Sequence, residues 1–111
     1  MAFESTLEMK NDVALITLVG ELDASVAQTF RDRIEEAATN QARKLVLKLD
    51  ALEYMSSAGL RTLVFAKQKM GQKVTIYVVG AQPQVVEPIR QTGFHHSVTM
   101  MDSYDASVIE A

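Results

Sequence analysis

The 111-residue sequence contains no cysteine, so the chain can form neither a disulfide framework nor a thiolate zinc site. It also lacks an excess of positive charge, since 11 lysines and arginines stand against 14 aspartates and glutamates. A surface that binds nucleic-acid phosphates needs clustered lysine and arginine, and this balance argues against one. No apolar run approaches the roughly 20 residues that a membrane-spanning helix requires. We therefore expect no nucleic-acid partner and no membrane span.

Apolar residues make up 48% of the sequence and charged residues 23%, which is typical of soluble globular domains. The length suits one domain, which we expect to span residues 1–111. The first residues mix acidic and polar side chains with single apolar ones. A secretory signal peptide instead begins with positively charged residues that are followed by an apolar run. We accordingly expect a cytoplasmic protein that is a monomer in isolation.

The hydrophobic pattern predicts a hairpin at the start of the chain. Residues 3–10 alternate between apolar and polar, which is the period of a half-buried strand. Asn11 and Asp12 form a tight turn into a nearly continuous apolar run at 13–19, and Gly20 ends this second strand. A helix follows, for which either Asp23 or Ser25 is positioned as the N-cap.

The remainder of the chain alternates between strands and helices. Strands are expected at 44–50, 74–79 and 97–101, and helices begin near Ser57, at Pro83 and near Tyr104. The helix that begins near Ser57 has an apolar stripe of Leu60, Leu63, Val64 and Met70. Alternation with short connections implies right-handed crossovers. The prediction is an α/β fold with a mostly parallel or mixed sheet of about five strands and about four helices.

The sequence offers little for catalysis. His95 and His96 are adjacent, so we expect their side chains to diverge, and no carboxylate pattern around them resembles a metal-ligand set. Phosphate-binding motifs such as GxGxxG and GxxxxGK[ST] are absent, and so is the Gly-x-Ser-x-Gly elbow of serine hydrolases. We expect no enzymatic activity, no cofactor and no metal.

The most informative residues are 49–61, where a strand ends at Asp50, a short loop carries Leu52 and Tyr54, and two serines begin a helix. One interpretation is structural, with a serine as N-cap and Gly59 allowing the first turn to pack closely. The other is functional, because a phosphoryl group at a helix N-terminus meets free backbone N–H groups and the positive end of the helix dipole. Such a modification would add charge to the surface without disturbing the fold.

Two stretches of the sequence resemble the landmarks of bacterial anti-sigma factor antagonists, which are single STAS-domain proteins. The run Met55-Ser56-Ser57-Ala58-Gly59-Leu60 is similar to their phosphorylation loop, and Gly20-Glu21-Leu22-Asp23-Ala24 resembles the turn that lies beside it. The resemblance implies a STAS fold over the whole chain. It also implies a protein that binds an anti-sigma factor of the GHKL serine kinase type, is released when phosphorylated, and is restored by a PP2C-type phosphatase.

The family pattern is Met-Asp-Ser-[Ser/Thr/Ala]-Gly-Leu-Gly, with the serine after the aspartate as the phosphate acceptor. Alignment on Gly59-Leu60 implies that Ser57 is the acceptor, with Ser56 as a minor alternative. Two positions differ from the pattern. Ser56 stands where the family has aspartate, which removes a negative charge beside the acceptor, and Arg61 stands where it has glycine, which puts a cation within one turn of Ser57.

Because loops at the carboxyl ends of parallel strands meet at one edge of a sheet, the two family landmarks should lie side by side and form one partner-binding surface. A helical wheel places Phe65 on the exposed side of its helix as a partner anchor, although a neighbouring helix that covers it is the alternative. For Asp23 and Asp50 a purely structural role is the alternative to partner contact: Asp23 would cap the first helix, and Asp50 would close a strand. The predicted partner-binding residues are Asp23, Asp50, Tyr54, Met55, Ser56, Ala58, Arg61, Thr62 and Phe65.

Two other classes of function remain open at this point. A STAS subunit that regulates a membrane transporter or another protein without phosphorylation is favoured by one feature, the replacement of the family aspartate by Ser56. A nucleotide-binding or hydrolysing protein has no motif in its favour.

Overall fold

The computed structural model describes residues 3–110, and the order of its elements follows the predicted alternation. Within these residues, five strands and four α-helices agree with the predicted α/β fold. A single turn of 3-10 helix at Phe94–His96 precedes the last strand. The strands are β1 (Glu4–Lys10), β2 (Val13–Leu22), β3 (Lys44–Met55), β4 (Thr75–Val79) and β5 (Thr99–Met101), and the helices are α1 (Ala27–Thr39), α2 (Ser57–Met70), α3 (Pro83–Gln91) and α4 (Ala106–Ile109).

The sheet is mixed, with the strands in sequential order from β1 to β5. β1 and β2 form the predicted antiparallel hairpin, and its turn uses Asn11 with φ 56°, a backbone conformation that asparagine tolerates better than most residues. All later neighbours pair in parallel, because each returns through a helix. The carboxyl ends of β2, β3 and β4 therefore lie at the same edge.

The main core lies between one face of the sheet and helices α1, α2 and α3. Alternate residues of the strands face these helices, including Ile16 and Leu18 of β2 and Leu45 and Leu47 of β3. A smaller cluster on the opposite face is covered by α4, through Ile109. The helices contribute to the main core a set of fully or nearly fully buried side chains, namely Phe30, Ile34, Ala37, Leu63, Ala66, Val85 and Ile89.

β2 and β3 are longer than the sequence pattern predicts. β2 continues past Gly20 to Leu22, and β3 continues past Asp50 to Met55, so the predicted loop at Leu52 and Tyr54 is part of a strand. The ladder between β2 and β3 contains two register shifts, one after Thr17 and one after Gly20. A β-bulge adds an unpaired residue and so interrupts the alternation of apolar and polar side chains. This interruption makes the end of β3 look like a loop in the sequence.

Two local predictions are wrong. α1 is capped by neither Asp23 nor Ser25: its N-cap is Val26, which makes no side-chain capping bond, while the Asp23 carboxylate accepts from the N–H and hydroxyl of Ser25 at 2.9 and 2.5 Å. The carboxylate thus stabilises the turn that precedes the helix. The rings of His95 and His96 do not diverge but lie 3.9 Å apart between centroids, since the 3-10 turn brings them together.

Within residues 3–110, no helix is long and apolar enough to cross a membrane. No group of three or more histidine, aspartate or glutamate side chains in the same range is close enough to hold a metal ion.

Candidate functional site

The carboxyl ends of β2 and β3 bring together the two stretches that the sequence singles out. Glu21 pairs with Tyr54 and Leu22 pairs with Met55, and the backbone N–H of Ser56 donates to the carbonyl of Leu22 at 2.8 Å. The turn that contains Asp23 therefore lies directly beside the start of α2. This juxtaposition confirms the argument from parallel strands.

The two serines at the start of α2 have different environments. Ser56 is the N-cap, with extended backbone, and its hydroxyl accepts from the N–H of Gly59 at 3.2 Å. Ser57 is the first helical residue and is exposed. In the part of the chain that the structure describes, no hydrogen bond occupies the Ser57 hydroxyl. The structural interpretation thus applies to Ser56, and Ser57 presents a free hydroxyl at a helix N-terminus.

Gly59 allows the first turn of α2 to sit close to the sheet. A Cβ at this position would lie 2.8 Å from two carbon atoms of Leu22 and 3.0 Å from Met55 Cγ. Leu22 is fully buried, so its side chain has little room to move away. Close packing at Gly59 therefore sets the position of the N-terminus of α2, and with it that of Ser57.

We expect Gly59→Ala to lower the free energy of unfolding by about 1–3 kcal/mol, because it overpacks this contact. The steric cost of overpacking outweighs the helix propensity of alanine, which inside a helix is favoured over glycine by about 1 kcal/mol. Chemical denaturation measures the change. The matched control, Ala58→Gly in the same turn, tests helix propensity without steric conflict, and an unchanged or raised stability of Gly59→Ala would contradict the packing argument.

Asp23, Asp50 and Tyr54 are exposed at this edge. The hydrogen bond from the Ser25 hydroxyl lowers the pKa of Asp23, so this carboxylate is charged at neutral pH. The Asp50 carboxylate lies against the backbone of Gly80, where a Cβ would come within 2.7 Å of it and where φ is +70°. Tyr54 exposes 48% of its surface. All three side chains are accessible to a partner.

Met55 and Thr62 do not belong to the accessible surface. Met55 is 5% exposed and packs in the main core, and Thr62 is 7% exposed, with its hydroxyl donating to the carbonyl of Ala58 at 2.9 Å. The exposed position predicted for Thr62 is wrong. Because Gly59 faces the sheet, α2 is rotated relative to the predicted stripe: its buried residues are Gly59, Thr62, Leu63 and Ala66.

The predicted exposure of Phe65 is also wrong. Its ring is half-buried against the main core, and the guanidinium carbon of Arg31 on α1 lies 3.9 Å from the ring centroid. The alternative, that a neighbouring helix covers Phe65, is correct. Val64, which the sequence pattern assigned to the core stripe, is instead 38% exposed. Ser57, Arg61 and Val64 follow at helical spacing on the exposed side of α2, and this spacing is the signal that could have found Val64.

Comparison with known proteins extends these observations. Residues 4–107 match the STAS domain family. The anti-sigma-F factor antagonist RsfB of Mycobacterium tuberculosis is 32% identical over 88 residues, which cover 79% of this chain and 72% of RsfB.

Two solved structures share the fold of the chain. An anti-sigma factor antagonist from Mycobacterium paratuberculosis superposes with a TM-score of 0.89 at 23% identity, covering 99% of this chain and 96% of the other. The Bacillus cell fate determinant SpoIIAA, in its phosphorylated form, has a TM-score of 0.72 at 23% identity and covers 98% of this chain and 97% of its own. At this identity the structures establish a common fold. The family match and the identity to RsfB go further: the chain belongs to the STAS-domain family of anti-sigma factor antagonists, which are non-enzymatic regulators.

Proposed function

We propose that the protein is a phosphorylation-switched antagonist that binds an anti-sigma factor when Ser57 is unmodified and is released when Ser57 is phosphorylated. The anti-sigma factor would itself be the serine kinase, of the GHKL type, and a PP2C-type phosphatase would restore the active form. The observation that carries this proposal is the exposed Ser57 hydroxyl at the first position of α2, which has no hydrogen-bond partner within residues 3–110. The names of its relatives support the partner class. This function requires a cytoplasmic protein.

The fold can accept a phosphoryl group at Ser57 without rearrangement. The group would meet the positive end of the α2 dipole. Arg61 is exposed four residues later, on the same face of α2, and within residues 3–110 it forms no salt bridge. Its guanidinium can therefore pair with a phosphate. The replacement of the family aspartate by Ser56 keeps the capping bond, since serine and aspartate are both favoured N-caps. This conservation of the cap weakens the only argument for a phosphorylation-independent subunit.

The partner would contact Ser57 and other exposed side chains at the same edge of the sheet. We call these residues the docking surface: Asp23, Asp50, Tyr54, Ser57, Arg61 and Val64. Ser56 and Ala58 are partly exposed at its centre. Met55, Thr62 and Phe65, which the sequence pattern assigned to partner binding, lie beneath this surface and support it by packing.

Two aromatic substitutions separate the docking surface from its support. We expect Tyr54→Ala to weaken anti-sigma factor binding by about 2 kcal/mol or more, because exposed tyrosines at interface centres are frequent hot spots. Phe65→Ala should instead lower stability, by less than the roughly 3–5 kcal/mol typical of a fully buried phenylalanine. Isothermal titration calorimetry and chemical denaturation measure the two effects. Unchanged affinity in Tyr54→Ala would place the end of β3 outside the interface.

An affinity capture tests the proposal directly. Ser57→Ala cannot be released by phosphorylation at this position, so we expect it to retain an anti-sigma factor kinase from a lysate of the source organism, identified by mass spectrometry. The reconstituted pair should then dissociate on addition of ATP with the wild-type protein and not with Ser57→Ala. Stable ATP-independent binding of the wild-type protein to a transporter or another protein would support the phosphorylation-independent alternative instead.

A further inference from the structure

The last part of β3 has a neighbouring strand on only one side. β3 pairs with β4 over Lys44–Lys48, and β4 then ends at Val79. The next seven residues of β3, from Leu49 to Met55, continue along β2 alone. On the edge that faces α3, the backbone groups of this part of β3 therefore have no neighbouring strand to bond with.

Both bulges of the ladder lie in this part of β3. Thr17 pairs with Lys48 and Val19 with Ala51, so Leu49 and Asp50 lie opposite the single residue Leu18. Further on, Gly20 pairs with Leu52 and Glu21 with Tyr54, which leaves Glu53 as an extra residue. The ladder between β2 and β3 is thus interrupted at Asp50 and again at Glu53.

Two glutamine side chains at the start of α3 donate hydrogen bonds to the carbonyls at these bulges. The amide of Gln82 donates to the carbonyl of Asp50 at 2.9 Å, and the amide of Gln84 donates to the carbonyl of Glu53 at 3.0 Å. Gln84 also donates to the side-chain oxygen of Gln82 at 2.8 Å, which links the two. Gln82 is the N-cap of α3, yet its side chain makes no capping bond to that helix. Its amide is used for β3 instead.

The bulges determine which side chains of β3 face the core. The core-facing residues are Leu45, Leu47 and Leu49 up to the first bulge, Leu52 between the two bulges and Met55 after the second. An unbulged strand would turn Glu53 inward, since successive side chains alternate between the two faces. The bulges instead turn Leu52 to the core and bring Met55 opposite Leu22, so that Tyr54 lies exposed beside the start of α2.

We propose that Gln82 and Gln84 are positioning residues, which hold the bulged end of β3 in the register that presents Tyr54 and Ser57. The amides replace the strand that β3 lacks at this edge, and they couple α3 to the docking surface. The consequence for partner binding rests on the proposed function, whereas the bracing of β3 does not.

Substitutions at Gln84 test the hydrogen bond from its side chain to β3, because they change this bond and the stability of α3 in opposite directions. Gln84→Glu keeps the shape and loses the donor, and an acid in the first turn stabilises α3. Gln84→Lys restores a donor although a cation there disfavours the helix. The control, Gln91→Glu, makes the same change at the other end of α3, where the amide donates to the Glu87 carboxylate of the same helix.

Amide hydrogen exchange of the isolated protein measures the result, with Ile76 and Val78 of β4 as the reference. We expect exchange over residues 51–56 to be about 3- to 10-fold faster in Gln84→Glu, as the loss of one hydrogen bond implies. Gln84→Lys should restore wild-type exchange, and Gln91→Glu should leave residues 51–56 unchanged relative to the reference. Exchange that stays at the wild-type rate in Gln84→Glu overturns the proposal, and so does acceleration that Gln84→Lys fails to reverse.

The role in presentation is tested with the anti-sigma factor that Ser57→Ala captures. We expect Gln84→Glu to weaken its affinity several-fold and Gln84→Lys to recover it. Unchanged affinity in Gln84→Glu would overturn the positioning role. If Ser57→Ala captures no anti-sigma factor, the proposed function fails, and the exchange measurement still decides whether the glutamines brace β3.

Discussion

Ser57→Ala is expected to abolish phosphorylation by the cognate kinase while leaving the fold intact. The alignment on Gly59-Leu60 and the exposure of the Ser57 hydroxyl both point to this residue as the acceptor. Its hydroxyl makes no bond that stabilises the described part of the chain, so the free energy of unfolding should change by no more than about 0.5 kcal/mol. Incorporation of radiolabelled phosphate and mapping by mass spectrometry measure the effect on modification.

Ser56→Ala is the matched control because it changes the neighbouring hydroxyl. It removes the capping bond to Gly59, and we expect a loss of about 0.5–2 kcal/mol in stability. Phosphate incorporation should persist in the folded fraction. If the label instead persists in Ser57→Ala and disappears in Ser56→Ala, the alignment is wrong by one residue.

Ser57→Asp should weaken anti-sigma factor binding far more than it changes the stability of the domain. A negative charge in the first turn of α2 interacts favourably with the helix dipole, by roughly 0.3–1 kcal/mol. The same charge, desolvated in an interface that formed around a neutral hydroxyl, costs several kcal/mol. We expect a melting temperature equal to or slightly above that of the wild-type protein and a Kd raised by about a hundredfold or more.

Titration calorimetry and thermal melting of the same preparation measure these two quantities. Ser57→Asn, which is similar in size to aspartate and uncharged, separates the effect of charge from that of volume. Equal losses of affinity in both variants would show that size, and not charge, drives release. A large drop in melting temperature with unchanged binding would contradict the electrostatic argument altogether.

Much of the fold follows from the sequence pattern. Alternation in residues 3–10, the turn at Asn11 and Asp12, and the strand–helix alternation after them predict the hairpin, the order of the elements and the parallel pairing. These features depend on local propensity and on hydrophobic period, which the sequence displays directly. The meeting of Asp23 with the start of α2 also follows, because parallel strands carry their connections to the same edge.

Predictions that depended on the exact rotation of an element were less accurate. The helical wheel predicts that Thr62 and Phe65 are exposed, whereas Thr62 is buried and Phe65 is half-buried and covered by Arg31 of a different helix. A helical wheel counts residues from an assumed core stripe. The contact of Gly59 with Leu22, which sets the true rotation of α2, joins residues that are far apart in the chain.

The family, the order of strands and helices, and the stretch with the candidate acceptor can all be read from the sequence pattern. The three-dimensional contacts were needed to show that Ser56 caps α2 and Ser57 does not, where β3 bulges, and how Gln82 and Gln84 bond to it. Period and propensity are properties of neighbouring residues, whereas a bulge or a helix rotation is set by contacts between distant segments. These contacts place Tyr54 and Ser57 on the surface and Met55 beneath them.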